Sequence, residues 1–321
     1  MITSEDIFSI NSEDDFNRVA LKVFHFQRQN CDVYKSYCEL LQVGNIRHYR
    51  EIPFLPIEFF KSHTVITSDQ PIVKTFKSSG TGGNRSQHHI TDISLYEQSF
   101  FATFNQLIGN PEDLVILALL PNYVEQGDSS LVYMVDRLIE LTKNELSGFL
   151  LDEPSQVIDR CKQANENNKR VILFGVSYAL LNLAELKIDL RGVTVIETGG
   201  MKGRRREMTK SELHTTLKTQ LNNPTILSEY GMTELLSQAY TRGGLQFTPP
   251  KWMKVLIRDV NDPFTILSDG KSGGINVIDL ANINSCSFIA TQDLGKTNND
   301  QFEVLGRFDH SEIRGCNLLV Q

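Results

Sequence analysis

Lys77-Ser78-Ser79-Gly80-Thr81-Gly82-Gly83-Asn84-Arg85-Ser86-Gln87-His88-His89 places three glycines in four positions, flanked by hydroxyls, an amide and cations. Glycine admits φ > 0 and close approach of the backbone to a ligand, and the surrounding donors suit phosphate oxygens. The stretch is not a P-loop, because Asn84-Arg85 stand where that motif needs Lys-Ser/Thr. Nor is it a dinucleotide fingerprint, whose third glycine would fall on Arg85. Ile72–Phe76 before it and Gln87–Thr91 after it both read as extended, and a helix begins only near Asp92. The reading is therefore a hairpin between two strands, whose tip folds over a polyphosphate without a helix dipole. An ordinary Gly-Ser surface turn is the competing reading.

Outward from the loop, apolar periodicity organises the chain. Phe16, Val19, Ala20, Val23 and Phe24 have helical spacing within 15–28, and a second helix is predicted over 33–43. Residues 53–63, dense in proline and aromatics, read as an irregular entry segment. Asp92 caps a helix over 92–107. The unbroken apolar runs at 114–120 and 171–176 read as strands buried on both faces, joined by 193–197 and 225–227. Helices over 131–141, 155–164, 178–186 and 207–221 alternate with these strands. That alternation predicts an α/β fold with a parallel sheet and helices on both faces. Ligands in such sheets bind beyond the carboxyl ends of the strands, where Gly199-Gly200 and Tyr230-Gly231 lie. Past Gly243 short strands (253–258, 264–267, 275–279, 286–291, 302–305) alternate with turns such as Ser268-Asp269-Gly270 and Ser272-Gly273-Gly274. The expected division is an α/β body over 1–242, a small antiparallel β subdomain over 243–305 and a tail over 306–321.

Ser228-Glu229-Tyr230-Gly231-Met232-Thr233-Glu234 follows the strand at 225–227. Together with the Gly-rich loop it resembles the adenylate-forming enzymes, which carry a Ser/Thr-Gly-rich loop and a downstream Tyr-Gly-x-Thr-Glu. Thr291-Gln292-Asp293 resembles that superfamily's Thr-Gly-Asp motif, and Gly306-Arg307-Phe308-Asp309 its Gly-Arg-x-Asp hinge. Four motifs in the expected order are far more specific than any one alone. The resemblance implies ATP and Mg²⁺ as cofactors. Ser78, Ser79, Gly80, Thr81, Gly82 and Gly83, with Asn84 and Arg85, would hold the β- and γ-phosphates. Thr233 would donate to the α-phosphate, and Glu234 would ligate Mg²⁺, a hard cation that also takes phosphate oxygens. Tyr230 and Gly231, with the Gly199-Gly200 loop, would lie against adenine, and Asp293 would accept the ribose hydroxyls with Arg307 beside it. For each residue the alternative is a turn or a solvated charge. Lys202 is a weaker candidate, and neither His88 nor His89 receives a role.

A narrower resemblance, to the acyl-protein synthetases of the LuxE family, covers nearly the whole chain. It is carried by Pro53–Lys61, Ser78–Gly82, Leu120-Pro121-Asn122-Tyr123 with Ser129–Val132, Glu197–Arg204, Gly306–Asp309 and Arg314–Leu318. It implies formation of an acyl-adenylate from a fatty acid, transfer of the acyl group to the chain's own cysteine and delivery to an acyl-accepting reductase or carrier protein. Cys316 matches that cysteine. Coenzyme A ligases of the superfamily continue past the hinge into a small domain that supplies a catalytic lysine. The sequence ends at Gln321, so the expectation is that no such lysine takes part. Two rivals remain: a shortened carboxylate–coenzyme A ligase of phenylacetate type, and a non-catalytic nucleotide- or acyl-binding module.

Composition narrows the partners. Net charge is −7, from 32 Lys and Arg against 39 Asp and Glu, which argues against a nucleic-acid surface despite the basic run at 202–206. No apolar run is long enough to span a bilayer, and residues 1–6 lack the features of a signal peptide. Five scattered cysteines without metal-ligand spacing suit free thiols in a reducing cytoplasm.

Overall fold

The computed structural model describes residues 2–67, 69–79, 85–121, 127–151, 153, 155–199 and 208–308. The N-terminal part holds α1 (Ser4–Phe8), α2 (Glu13–Asn30) and α3 (Asp32–Leu40), then strand β1 (Leu55–Pro56) and α4 (Phe59–Ser62). Ser12 and Thr3 cap α2 and α1 by accepting the N–H groups of Asp15 and Asp6. Strands β2 (Lys74–Lys77) and β3 (Gln87–Ile90) pair antiparallel, with Phe76 opposite His88, so the Gly-rich loop does join two strands. Asp92 caps α5 (Ile93–Leu107) by accepting the N–H of Ser94, as its position predicts.

The α/β part runs β4 (Leu114–Leu119), α6 (Ser130–Thr142), β5 (Gly148–Phe149), α7 (Gln156–Glu166), β6 (Arg170–Gly175), α8 (Ser177–Glu185), β7 (Thr194–Glu197), α9 (Lys210–Gln220) and β8 (Thr225–Tyr230). Strands β5, β4, β6, β7 and β8 are parallel neighbours in that order. The apolar run of β4 is unbroken because it serves two cores. Leu114, Ile116 and Ala118 belong to one, Val115, Leu117 and Leu119 to the other. Leu180, Leu183, Leu213 and Leu217 of α8 and α9 close the second core.

After Tyr230 the sheet turns antiparallel without interruption. It continues through β9 (Ala239–Thr241), β10 (Gln246–Thr248), β11 (Met253–Arg258), β12 (Ser272–Asp279), β13 (Phe288–Asn298) and β14 (Gln301–Arg307). The order is β8-β9-β10-β14-β13-β12-β11, and β1 pairs parallel with the start of β13. The antiparallel strands expected past Gly243 are thus hydrogen-bonded to the parallel part.

Two local expectations are corrected. Ser272-Gly273-Gly274 is no turn but opens β12, because Arg258 lies across it. A Cβ on Gly273 would meet the Arg258 carbonyl at 2.2 Å, and one on Gly274 the guanidinium carbon at 2.5 Å. Residues 264–267 form only an isolated bridge, Ile266 to Arg258, since Phe264 stays exposed.

Candidate active site

The carboxyl ends of β7 and β8 bring the motifs together. Tyr230, the last residue of β8, donates from its hydroxyl to Asp293 Oδ2 at 2.9 Å. Arg307 Nε donates to Asp293 Oδ1 at 3.0 Å, the two residues being register partners of β13 and β14. Phe302 meets the Tyr230 ring edge-on at 5.1 Å and Phe247 lies 5.8 Å away, fixing the phenol. Burial and the neighbouring Asp293 carboxylate push the Tyr230 hydroxyl well above its usual range. The phenol therefore stays a donor.

Thr233 and Glu234 follow on the turn after β8. Glu234 is buried, and burial raises its carboxyl above the usual range against a hydrogen bond from Ser86 and the charges of Arg307 and Lys61. Ser86 belongs to the base of the Gly-rich loop, whose two sides are joined by Ser78 N–H to the Ser86 carbonyl and Ser86 N–H to Ser78 Oγ, both 3.0 Å. Arg85 donates to the carbonyls of Ser78 and Lys77 and pairs with Asp128 at 3.3 Å, so it stiffens the loop's base. Ser79 is exposed beside it.

Residues that the motif reading left without a role hold this turn in place. His88 Nδ1 lies 2.8 Å from the Thr233 carbonyl and Nε2 lies 3.0 Å from Asn282 Oδ1. Asn282 in turn donates to the Glu234 carbonyl at 2.8 Å and to the Cys286 carbonyl at 2.9 Å. His88 is the inward member of the His88-His89 pair, and burial drives it from 6.5 to about 4, outweighing the two acceptors. On unfolding it regains its ordinary pKa, so between pH 6.5 and 4 the unfolded chain binds a proton that native His88 refuses. The stability this represents is whole above pH 6.5 and is lost as pH falls through the window, about 3 kcal/mol in all. Melting midpoints measured across that range are expected to fall less steeply for His88→Gln than for the wild type. Parallel curves would contradict the assignment.

A second anchor holds the Gly199 loop. Glu197, the last residue of β7, is 2% exposed and accepts from Ser177 Oγ (2.7 Å), Gly199 N–H (2.6 Å), Lys210 Nζ (2.9 Å) and Ser228 Oγ (2.9 Å). Burial opposes its ionisation, but Lys210 and the hydroxyl donors prevail and hold it below the usual carboxylate range. Gly199 has φ +76°, which lets the chain turn back onto Glu197. Only proximity in space reveals this cluster, since Glu197, Lys210 and Ser228 lie on separate elements.

The structure thus gathers Ser78, Arg85, Gly199, Tyr230, Gly231, Thr233, Glu234, Asp293 and Arg307 around one end of the sheet. The expectations for Gly80, Thr81, Gly82, Gly83, Asn84, Gly200, Lys202 and Cys316 fall on residues outside those described. Among the described residues no group of three or more His, Cys, Asp or Glu side chains is arranged to hold a metal. A cation here would have one buried carboxylate, Glu234, whose ionisation it would relieve, and would take its other ligands from phosphate and water. That donor set fits Mg²⁺.

Comparison with known proteins gives a family and a shared fold. The family model for acyl-protein synthetase, LuxE, matches residues 3–321. A long-chain-fatty-acid–luciferin-component ligase from Vibrio harveyi is 23% identical over 94% of this chain and 86% of its own length. Among solved structures, ATP-bound MatB from Rhodopseudomonas palustris superposes with a TM-score of 0.56 at 16% identity, covering 75% of this chain and 50% of MatB. The O-succinylbenzoate coenzyme A synthetase MenE from Bacillus subtilis, in complex with ATP and magnesium ion, gives 0.52 at 17% identity, covering 75% and 51%. The chain spans about half the length of these two structures and shares the fold of the adenylate-forming enzymes.

Proposed function

The chain belongs to the LuxE acyl-protein synthetase family, and from that premise we propose that this ligase activates a carboxylic acid, in the simplest case a fatty acid, with ATP and passes the acyl group to a protein thiol. The observation that carries the reading is the union of two motifs distant in sequence, Ser86 of the Gly-rich loop bonding Glu234 beside the Tyr230–Asp293–Arg307 chain. In the first step a carboxylate oxygen bonds the α-phosphorus while the bond to pyrophosphate breaks, and pyrophosphate leaves. In the second, the Cys316 thiolate attacks the acyl carbonyl carbon, the bond to the phosphate oxygen breaks, and AMP leaves. A thioester suits onward transfer to an acyl-accepting reductase or carrier protein.

We assign the terminal phosphates to the Gly-rich loop, Ser78, Ser79 and Gly80 to Gly83, with Arg85 at its base, and the α-phosphate to Thr233. We assign the base to Gly199, Gly200, Tyr230 and Gly231, and the ribose hydroxyls to the remaining lone pairs of Asp293, which Arg307 steadies. Mg²⁺ held by Glu234 would neutralise charge on the phosphates. We place the reaction in the cytoplasm, consistent with free thiols, and no described helix is long and apolar enough to cross a membrane. The division at 242 and 305 stands as the proposed domain plan.

Incubation with ATP, Mg²⁺ and radiolabelled fatty acid tests the proposal. Label bound covalently to the protein is expected, with release of pyrophosphate. Label on added coenzyme A in its place would favour a coenzyme A ligase. Absence of pyrophosphate release with every acid would leave only a binding module.

A further inference from the structure

Among the described residues, four buried side-chain polar atoms have no hydrogen-bond partner, and two of them, Gln238 Oε1 and Tyr240 Oη, share one face of the sheet. Thr198 and Asn276, which carry the other two, lie on strands or loops elsewhere. Tyr240 is the register partner of Glu229, and cross-strand partners point the same way. Gln238 and Gly231, each two residues off that pair, fall on the same face. The packing agrees, since a Cβ on Gly231 would meet Glu229 Oε1 at 2.3 Å and Gln238 Cγ at 3.3 Å. The Glu229 carboxyl and the Gln238 side chain therefore pack against Gly231, with Tyr240 on the same face as the register partner of Glu229, next to the residues assigned to the nucleotide.

These groups are exposed to the extent of 9% (Glu229), 3% (Gln238) and 0% (Tyr240). Phe104 lies 6.3 Å from the Tyr240 ring, and both belong with Tyr96 to the same apolar core. Burying polar atoms without partners costs stability, and here two such atoms, Gln238 Oε1 and Tyr240 Oη, lie beside the Glu229 carboxyl where apolar residues would pack freely. Burial, with the charge of Glu197 added, raises the Glu229 carboxyl to about 8, so it is largely neutral at physiological pH and able to donate as well as accept.

We propose that this polar notch recognises the acid being activated, and that the preferred acid carries a hydroxyl group close to its carboxyl end. The inference rests on the reading of the chain as an acid-activating enzyme and adds the substrate class. A hydroxyl donates to Gln238 Oε1 and accepts from Tyr240 Oη, satisfying both unpartnered atoms beside a largely neutral Glu229 without bringing a charge into the sheet. A plain hydrocarbon leaves them unpaired, and sites built to bond a substrate hydroxyl reject analogues that lack it.

The test is ATP–pyrophosphate exchange across a series of chain lengths, each straight-chain acid set beside its 3-hydroxy and 3-amino counterparts. The 3-hydroxy acid is expected to exceed its unsubstituted partner in kcat/KM by about tenfold or more. Gln238→Leu and Tyr240→Phe are each expected to shrink that ratio several-fold. The Tyr240→Phe protein is expected to melt no lower than the wild type, because no hydrogen bond within the chain is lost. Equal or better exchange with the unsubstituted acids, or an unchanged ratio in both variants, overturns this inference while leaving acid activation standing. Preference for the 3-amino acid overturns it in favour of an ammonium group paired with ionised Glu229. Absence of exchange with every acid overturns acid activation itself, and the notch assignment with it.

Discussion

Glu234→Gln is expected to lower kcat for adenylation by about two orders of magnitude or more, leaving the ATP KM within a few-fold of the wild type. The substitution keeps shape and removes charge. Glu234 is buried against Ser86, and the backbone carbonyls of Thr233 and Glu234 are held by His88 and Asn282 independently of the carboxylate. Burial already favours the uncharged carboxyl, so a neutral amide is tolerated and the melting midpoint is expected to stay in place. What disappears is the negative charge that holds a cation to the phosphates, and that matters most when charge redistributes in the transition state. Asp293→Ala is the contrasting case. Its carboxylate organises Tyr230 and Arg307 around one point before and during reaction, so its loss is expected mainly to raise the ATP KM, by about tenfold. Steady-state kinetics of the pair decide the matter: equal effects confined to KM would refute the division of roles.

Cys316→Ser is expected to keep pyrophosphate release dependent on ATP and acid but to lose all hydroxylamine-labile acyl-protein. A thiol outperforms a hydroxyl here because a useful fraction ionises near neutral pH. The other four cysteines are poor nucleophiles for physical reasons. Cys31, Cys38 and Cys286 are buried, and Cys161 is only half-exposed. Burial raises every one of their thiols, Cys38 and Cys161 to about 11 and Cys286 well above the usual range. Intact-protein mass spectra of wild type and variant after turnover provide the check. Acyl label at full stoichiometry on the serine variant would take Cys316 out of the mechanism.

Much of the fold is written in local pattern. Leu114–Leu119 is apolar at every position because the strand feeds both cores, and Asp92 marks the start of α5 by a cap that needs no tertiary context. The motif residues Tyr230, Asp293 and Arg307 are legible as types, and the structure brings them into contact. Illegible features share a different cause. Ala239-Tyr240-Thr241 is too short to show alternation, yet it is the strand that turns the sheet from parallel to antiparallel. Gly273-Gly274 signals a turn only until Arg258 is seen lying across it. Asn282 and the Glu197–Lys210 pair act through partners that periodicity cannot supply, since nothing near Asn282 in sequence announces His88.

That last contact has a bearing on how the molecule is made. His88 and Asn282 are separated by 194 positions, and the turn bearing Thr233 and Glu234 is held by both. The strand that follows Asn282 is also paired with Leu55 and Pro56 from near the chain's beginning. Closing loops of that length is slow, because their entropy is lost before the contacts that reward it form. A nascent chain shorter than Asn282 lacks the amide that holds the Glu234 carbonyl, whatever helices it has already formed. Recovery of activity after dilution from denaturant therefore times the last long-range closure of the sheet, and trails the return of helical signal.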